Sequence, residues 1–408
     1  MEASCINLTR LHLYEAFLIM RYLLCVWVIC ILTVNVNAQA TKDTVAAKRY
    51  KIAVFAPLYI DSAFVGYTYK LGATSMPRYI MNGLDFYHGV MAAIDTMNKQ
   101  KLPLEIQIYD TKKAEQSIGQ IIGNIGYEKI QLVIAAVTNV QEQQALASYA
   151  FNNNIPVISA TYPNDAGLSM NPFYIMLNSS LRTHIDAQFQ LLSKQYSKSS
   201  IVVFSKQGAL EDKVKQQLKL LNANNTLRLK LINLTDNFTA DDVLLHLDST
   251  KQNIILCGSI NEQFGVQLAK HIAAAKVYKT TLLGMPTWAT VNAFEGNSFS
   301  NIEVIYTTPF NPAKTSIANN VQAAYRNKYG GRPSDMYLRG YESTLYFARL
   351  LVKHGSDQLL QQINTGQKVI SEFNIQPAFV ADDSYAPDFL ENKKLYYFKR
   401  FEGKVTIW

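Results

Sequence analysis

The sequence predicts an α/β protein built as two doubly wound, mainly parallel-sheet lobes. From Tyr50 onward, short apolar runs of strand length alternate with stretches of helical periodicity. The alternation pauses near Ser159 and restarts near Leu181, so the pattern occurs twice. Beyond Phe310 the chain continues with two more helices and a β-rich end, a surplus that can complete both sheets. Strands separated by helices of roughly 10–15 residues imply βαβ crossovers, which are almost always right-handed and so lead to doubly wound sheets.

The first run opens with KIAVF (51–55), a buried strand. Residues 82–98 place Leu84, Tyr87, Met91, Ile94 and Met97 at helical spacing, with Asn82 as the cap and Asp85 in the first turn. LEIQIYD (104–110) alternates Leu104, Ile106 and Ile108 as a half-buried strand does. A helix over 114–125, the strand QLVIAAV (131–137), a helix over 141–151 and the strand PVIS (156–159) follow.

In the second run a helix carries Leu181, Ile185, Phe189, Leu192 and Tyr196 on one face. Then come the strand SIVVF (200–204), a helix with Leu210, Val214, Leu218 and Leu221, and the alternating LRLKLIN (227–233). NIILC (253–257), a helix with Phe264, Leu268 and Ile272, and TTLLG (280–284) close it. IEVIYTTPF (302–310) leads into helices over 317–329 and 341–354, separated by GGRPSD (330–335). LYYFKRFEGKVTIW (395–408) reads as a hairpin turning at Glu402-Gly403.

The N-terminus is different in kind. Arg21 precedes LLCVWVICILTV (23–34), too short for a bilayer span and suited to a signal-peptide core. Val36-Asn37-Ala38 places cleavage after Ala38, with a signal anchor as the alternative and either Met1 or Met20 as the start. Cleavage removes Cys5, Cys25 and Cys30, leaving Cys257 with no partner for an intramolecular disulfide. The expected organisation is a signal peptide over 1–38, a linker over 39–49, lobe one over 50–175 and 309–366, and lobe two over 176–308 and 367–408. No stable membrane span is expected in the mature chain, and the expected destination is the periplasm.

Composition excludes several classes. A hydrophobic fraction of 49% with 17% charged residues is that of a folded chain, not a disordered or multi-span one. The net charge of +8 comes from scattered lysines and arginines without an aromatic-interleaved stripe, which argues against nucleic acid. Signatures of hydrolases, nucleotide-binding loops, zinc proteases and CxxC redox sites are not found, and the histidines at 12, 88, 184, 246, 271 and 354 are dispersed. No cofactor, metal or catalytic residue is expected. Cys257 ends an apolar strand and reads as a small buried hydrophobe. The pair Asp382-Asp383 lacks the spacing of a calcium site.

In order and spacing, NGLDFYHGVMAAIDTMN with LEIQIYDT, LVIAAVTNVQEQQALASYAFNNNIPVISATYPN and NPFYIMLNSS resemble the type I periplasmic binding proteins, leucine/isoleucine/valine branch. SIVVFSKQGALEDKVK, NIILCGSINEQFGVQLAKH, LLGMPTW and NNVQAAYRNKYGGRPSDMYLRGYESTLYFA extend the likeness over about Tyr50 to Trp408. The resemblance implies two α/β lobes joined by three hinge crossovers, closing on a ligand in the cleft. It implies that Thr138, Asn139 and Gln141, with Ser159, Thr161 and Tyr162, hold a ligand carboxylate through hydroxyl and backbone N–H groups. Strand ends and helix N-termini are the places where such sheets bind anions. The matching lobe-two positions are Gln207, Ser259, Asn261, Thr287 and Trp288, and Tyr337, between the last two helices, is a further wall. Trp288 can stack on a ligand or pack within its lobe.

Two departures touch the ligand. Gln207 stands where the family places a tyrosine. Met285-Pro286-Thr287-Trp288 carries no carboxylate where the family often places one for a ligand ammonium, and an uncompensated ammonium is costly in a closed cleft. The expected function is capture of a small solute, amino-acid-like or otherwise polar, for ABC-type uptake through a permease partner. The alternative is a cell-envelope interaction or sensory module, suggested also by the long 57–81 loop with its four tyrosines.

Overall fold

The structure, a computed structural model, describes Met20 and residues 49–408 except 73–75, 127, 166, 296–297, 312–314 and 381–384. The expected signal segment, its three cysteines and the Asp382-Asp383 pair lie outside the described residues.

The first run forms β1 (Tyr50–Ala56), a short α1 (Ile60–Ala63), the two-residue strands β2 (Phe64–Val65) and β3 (Thr68–Tyr69), α2 (Arg78–Lys99), β4 (Leu104–Asp110), α3 (Ile118–Ile125), β5 (Leu132–Ala135), α4 (Val140–Asn153), β6 (Val157–Ser159) and β7 (Tyr174–Met176). The second forms α5 (Leu181–Gln195), β8 (Ser200–Ser205), α6 (Ala209–Asn222), β9 (Arg228–Asn233), α7 (Ala240–Leu244), β10 (Asn253–Cys257), α8 (Glu262–Ala274), β11 (Thr280–Leu283), a 3₁₀ turn (Pro286–Thr290), α9 (Asn292–Glu295) and β12 (Glu303–Thr308). Last come α10 (Ser316–Tyr329), α11 (Asp335–His354), β13 (Ile375–Ala378), β14 (Phe389–Asn392), β15 (Tyr396–Phe401) and β16 (Lys404–Ile407).

Two seven-stranded sheets result, ordered β4-β1-β5-β6-β7-β14-β13 and β9-β8-β10-β11-β12-β15-β16. The pairs between β4 and β14 are parallel, as are those between β9 and β12, while β13, β15 and β16 join antiparallel. Each sheet is buried on both faces, which is why its central strands are unbroken apolar runs. The final hairpin turns through Glu402 (φ 48°) and Gly403 (φ 71°), the left-handed pair that a tight two-residue turn requires.

Three expectations need correction. The stretch 367–408 does not belong wholly to the second lobe, because β13 and β14 extend the first sheet beside β7 and only β15 and β16 reach the second. The chain therefore crosses between lobes after β7, after β12 and after β14. Helix α2 begins at Arg78, so Asn82 is not its cap, and the buried Asp85 accepts from Tyr325 Oη (2.7 Å) and the Ser334 N–H (2.9 Å). Helix α11 starts six residues earlier than expected, at Asp335, and takes Tyr337 into its first turn. Helices α2 and α11 touch backbone to backbone, since a Cβ at Gly89 would overlap the Tyr337 carbonyl and one at Gly340 the Phe86 carbonyl.

Candidate functional site

Polar side chains tie the crossovers together. The buried Glu391 of β14 accepts from the Ser180 N–H (2.6 Å) and the Thr183 hydroxyl (2.9 Å), both at the start of α5. Burial opposes its ionisation, yet its ion pair with Lys393 and the Ser180 bond hold it below the usual carboxylate range. The Ser179 hydroxyl donates to the Asn392 carbonyl (2.5 Å). On the remaining crossover, the Asn311 N–H donates to Ser371 Oγ (2.9 Å), and Ser371 donates through N–H (2.8 Å) and hydroxyl (3.1 Å) to Glu342 of α11. Burial raises the Glu342 carboxyl to about 7 against the pull of those two bonds and of Arg339. His184, buried and 2.7 Å from Thr307 Oγ1, is pushed down to about 4 by desolvation and is neutral near pH 7.

Beside these crossovers lies a cleft of about 1580 Å³, lined by both lobes. Lobe one contributes the loop after β6 and faces of α10 and α11, and lobe two contributes α5, α6 and the 3₁₀ turn. Of the twelve expected contacts, Thr161, Tyr162 and Thr287 line it. The Thr161 hydroxyl donates to the Val137 carbonyl (2.7 Å), which fixes the loop against β5. Thr287 is half-buried, with its hydroxyl 3.4 Å from the Ile260 carbonyl.

The other nine lie elsewhere. The Thr138 N–H (2.8 Å) and hydroxyl (2.9 Å) both donate to the buried Glu142 carboxylate, and Lys112 Nζ binds Glu142 (2.6 Å) and Thr138 Oγ1 (2.9 Å). Asn139 caps α4 by accepting from the Glu142 N–H (2.9 Å), and Gln141 is exposed on that helix. Lobe two repeats the device: the Ser259 hydroxyl donates to the buried Glu211 (2.6 Å), and Asn261 caps α8. At the N-termini of both α4 and α8, an internal glutamate already engages the hydroxyl. Asn139-Val140-Gln141-Glu142 carries a capping signature that could have revealed the first of these in the sequence.

Ser159 is buried within β6, its hydroxyl without a partner among the described residues. Gln207 is exposed at the end of β8. Trp288 is 1% exposed and stacks on Phe294 with ring centres 4.0 Å apart, so it packs its own lobe and does not face the cleft. Tyr337 is also buried, with its hydroxyl donating to the Val321 carbonyl (3.1 Å). Burial pushes the Cys257 thiol up to about 12, as befits a core residue.

The cleft brings in charged residues that sequence reasoning missed. Among the described residues its walls carry Arg182, Lys213, Arg332, Arg339 and Arg400 against Asp165, Asp335 and Glu342. None has a local sequence signal, because tertiary packing of α5, α6 and α11 brings them together. Among the described residues, no group of three or more His, Cys, Asp or Glu is placed to hold a metal, and no helix is long and apolar enough to cross a membrane.

A family model described as periplasmic binding protein matches residues 78–387. No curated protein matches the chain. Among solved structures, a putative branched-chain amino acid ABC transporter from Rhodospirillum rubrum aligns at TM-score 0.66 and 12% identity, covering 88% of this chain and 100% of its own. A branched-chain amino acid ABC transporter periplasmic ligand-binding protein from Burkholderia xenovorans LB400 aligns at TM-score 0.61 and 12% identity, covering 88% and 94%. An ABC transporter substrate-binding protein from Desulfitobacterium hafniense in complex with Leu aligns at 0.56 and 15%, covering 88% and 100%. At such identities the likeness shows the shared fold: two lobes, three crossovers and a cleft.

Proposed function

This chain belongs to the periplasmic binding protein family, a family of binding proteins and not of enzymes, and we propose that it is an exported protein that captures one small polar solute between its lobes for ABC-type uptake. The observation that supports this most is the cleft itself, walled by both lobes and bordered by the crossovers, so that a solute touching both walls favours closure. Thr161 and Tyr162 on one wall and Thr287 on the other are the proposed contacts among the residues first singled out. The transporter-linked names of the structural neighbours support an uptake role. Cleavage after Ala38 and residence in the periplasm belong to the same proposal.

A thermal-shift panel of amino acids, their amides, organic acids and short peptides tests it. A ligand at a hundredfold its Kd adds about 2.7 kcal/mol to the folded state, a readily measured shift. Small-angle scattering with the responding compound should show a smaller radius of gyration. No stabilisation by any compound at millimolar concentration would sink the reading.

A second reading, an envelope docking or sensory module, is favoured by one feature. The α1–β3 hairpin turns Val65 and Tyr67 fully or largely outward, with Ile60, Phe64 and Tyr79 exposed around them. Crosslinking in envelope extracts tests it, and recovery of no partner where known envelope complexes are captured would remove it.

A further inference from the structure

Resting on the solute-site reading of the cleft, we propose that the ligand is an organic anion without a required ammonium group, and that the Arg339 guanidinium, stacked on Phe310, takes its carboxylate.

Of the two lobe-one loops expected to hold a carboxylate, the one at Thr138 is filled from within by Glu142, and the one after β6 brings Thr161 and Tyr162 to the cleft without a cation. A ligand carboxylate therefore needs a cation from another part of the cleft. Arg339 projects from α11 into the cleft, its guanidinium carbon 4.3 Å from the centre of the Phe310 ring, on the crossover after β12. The ring covers one face of the guanidinium. Its Nε is enclosed without a hydrogen-bond partner, and among the described residues the side chain makes no hydrogen bond or ion pair. Only Nε is withdrawn from water, and a half-buried guanidinium with no partner among the described residues is free to take a carboxylate or phosphate. The planar fork suits a carboxylate in bidentate contact.

Asp335 and Glu342, one turn to either side on α11, attract Arg339 without bonding to it. Both Glu342 oxygens are engaged by Ser371, so that carboxylate is held away from the guanidinium. The opposite wall offers Thr287 and no acid in the Pro286–Thr290 turn, so a ligand ammonium finds no counter-charge there. The described walls as a whole are richer in cations than anions. A carboxylate thus gains at Arg339 what a zwitterion would forfeit at the far wall.

Isothermal titration calorimetry of the purified protein at pH 7.5 with acetate, succinate and benzoate, each against its amide, and with leucine, tests the proposal. At least one carboxylate should bind where its amide does not, and its affinity should fall with added salt. In R339Q that affinity should drop about 10–100-fold, the usual loss for a charge-assisted contact, while the unliganded melting temperature moves little. R339K, which keeps the charge but not the fork, should fall between. If Arg339 only balanced Glu342, R339Q would change stability and leave carboxylate affinity intact, which overturns the proposal. Binding of leucine or amides with no response to carboxylates would overturn it too, leaving the solute-site reading standing. No response to any compound would overturn both.

Discussion

Glu391, in the first lobe's sheet, accepts a 2.9 Å hydrogen bond from Thr183, in the first helix of the second lobe. With the Ser180 N–H on the same oxygen and Lys393 on the other, this one carboxylate joins two of the three crossovers. Hinges of this kind must bend without coming apart, and a buried charge with three short-range partners holds a fixed pivot.

Replacing that carboxylate should therefore cost more than a surface acid would. E391A strips the acceptor from Ser180 and Thr183 and leaves Lys393 without its counter-ion. A loss of about 3–5 kcal/mol is expected on urea denaturation. A loss below about 1 kcal/mol, the range of an exposed ion pair, would show the pivot to be held by packing alone.

Glu342 makes the pH dependence of stability directional. Its folded pKa of about 7 lies above its unfolded value near 4.5. The stabilising protonated form is thus fully used below pH 4.5, and its contribution is lost as pH rises through 7. Roughly 3 kcal/mol follows from a shift of that size. His184 acts in the opposite sense over nearly the same range: buried neutral, with a folded pKa near 4, it adds stability above pH 6.5 that is lost as pH falls toward 4. Between about pH 4.5 and 6.5 the two slopes oppose each other, so the melting temperature of the wild type should change little there. E342Q should remove the falling slope and leave His184 to raise the melting temperature across that window. A wild-type profile retained in E342Q would remove Glu342 as a source of pH dependence.

The fold was legible in the sequence because its signals are local and repeated. The runs at 51–55, 200–204 and 253–257 are interior strands of their sheets, where burial on both faces demands continuous apolar residues. Which sheet a strand joins is a different matter. Periodicity says which side of a strand is buried, and nothing in Ile375–Ala378 or Phe389–Asn392 marks β7 as the neighbour. Alternation is weak there too, since β13 reads buried, exposed, exposed, buried. The site was less legible for a related reason. Thr138 and Ser259 have the right chemistry at the right strand ends, but their partners Glu142 and Glu211 are already in the chain. Arg339 lies before the helix expected from Tyr341, and only the earlier start of α11 and its packing beside Phe310 give it a role.

Trp288 offers a test of core against cleft. A Cβ at Gly284 would overlap its indole ring, and one at Gly265 would crowd the indole Nε1. The ring is clamped between those two glycines and Phe294, so it has no room to move. G284A should destabilise the second lobe by about 1–3 kcal/mol or more through overpacking. W288F should lower stability without changing the affinity of a cleft ligand. A ligand-affinity change of tenfold or more in W288F would place the indole at the site.

The internal anion at α4 separates stability from binding most cleanly. Lys112, Glu142 and Thr138 close on one another at 2.6–2.9 Å, and Glu142 is buried. K112M leaves that carboxylate uncompensated and should cost about 3 kcal/mol, the low end for a broken buried pair, because Lys112 keeps some contact with water. T138A removes the three hydrogen bonds of that hydroxyl and should cost about 1–2 kcal/mol. Since Glu142 already fills the place of a ligand anion, T138A should leave solute affinity unchanged within about twofold, under 0.5 kcal/mol. Calorimetry of T138A beside R339Q, with the same solute, decides the matter. If T138A weakened binding tenfold while R339Q did not, Glu142 would have to yield its place to the ligand, and the anion site would lie at the N-terminus of α4 after all.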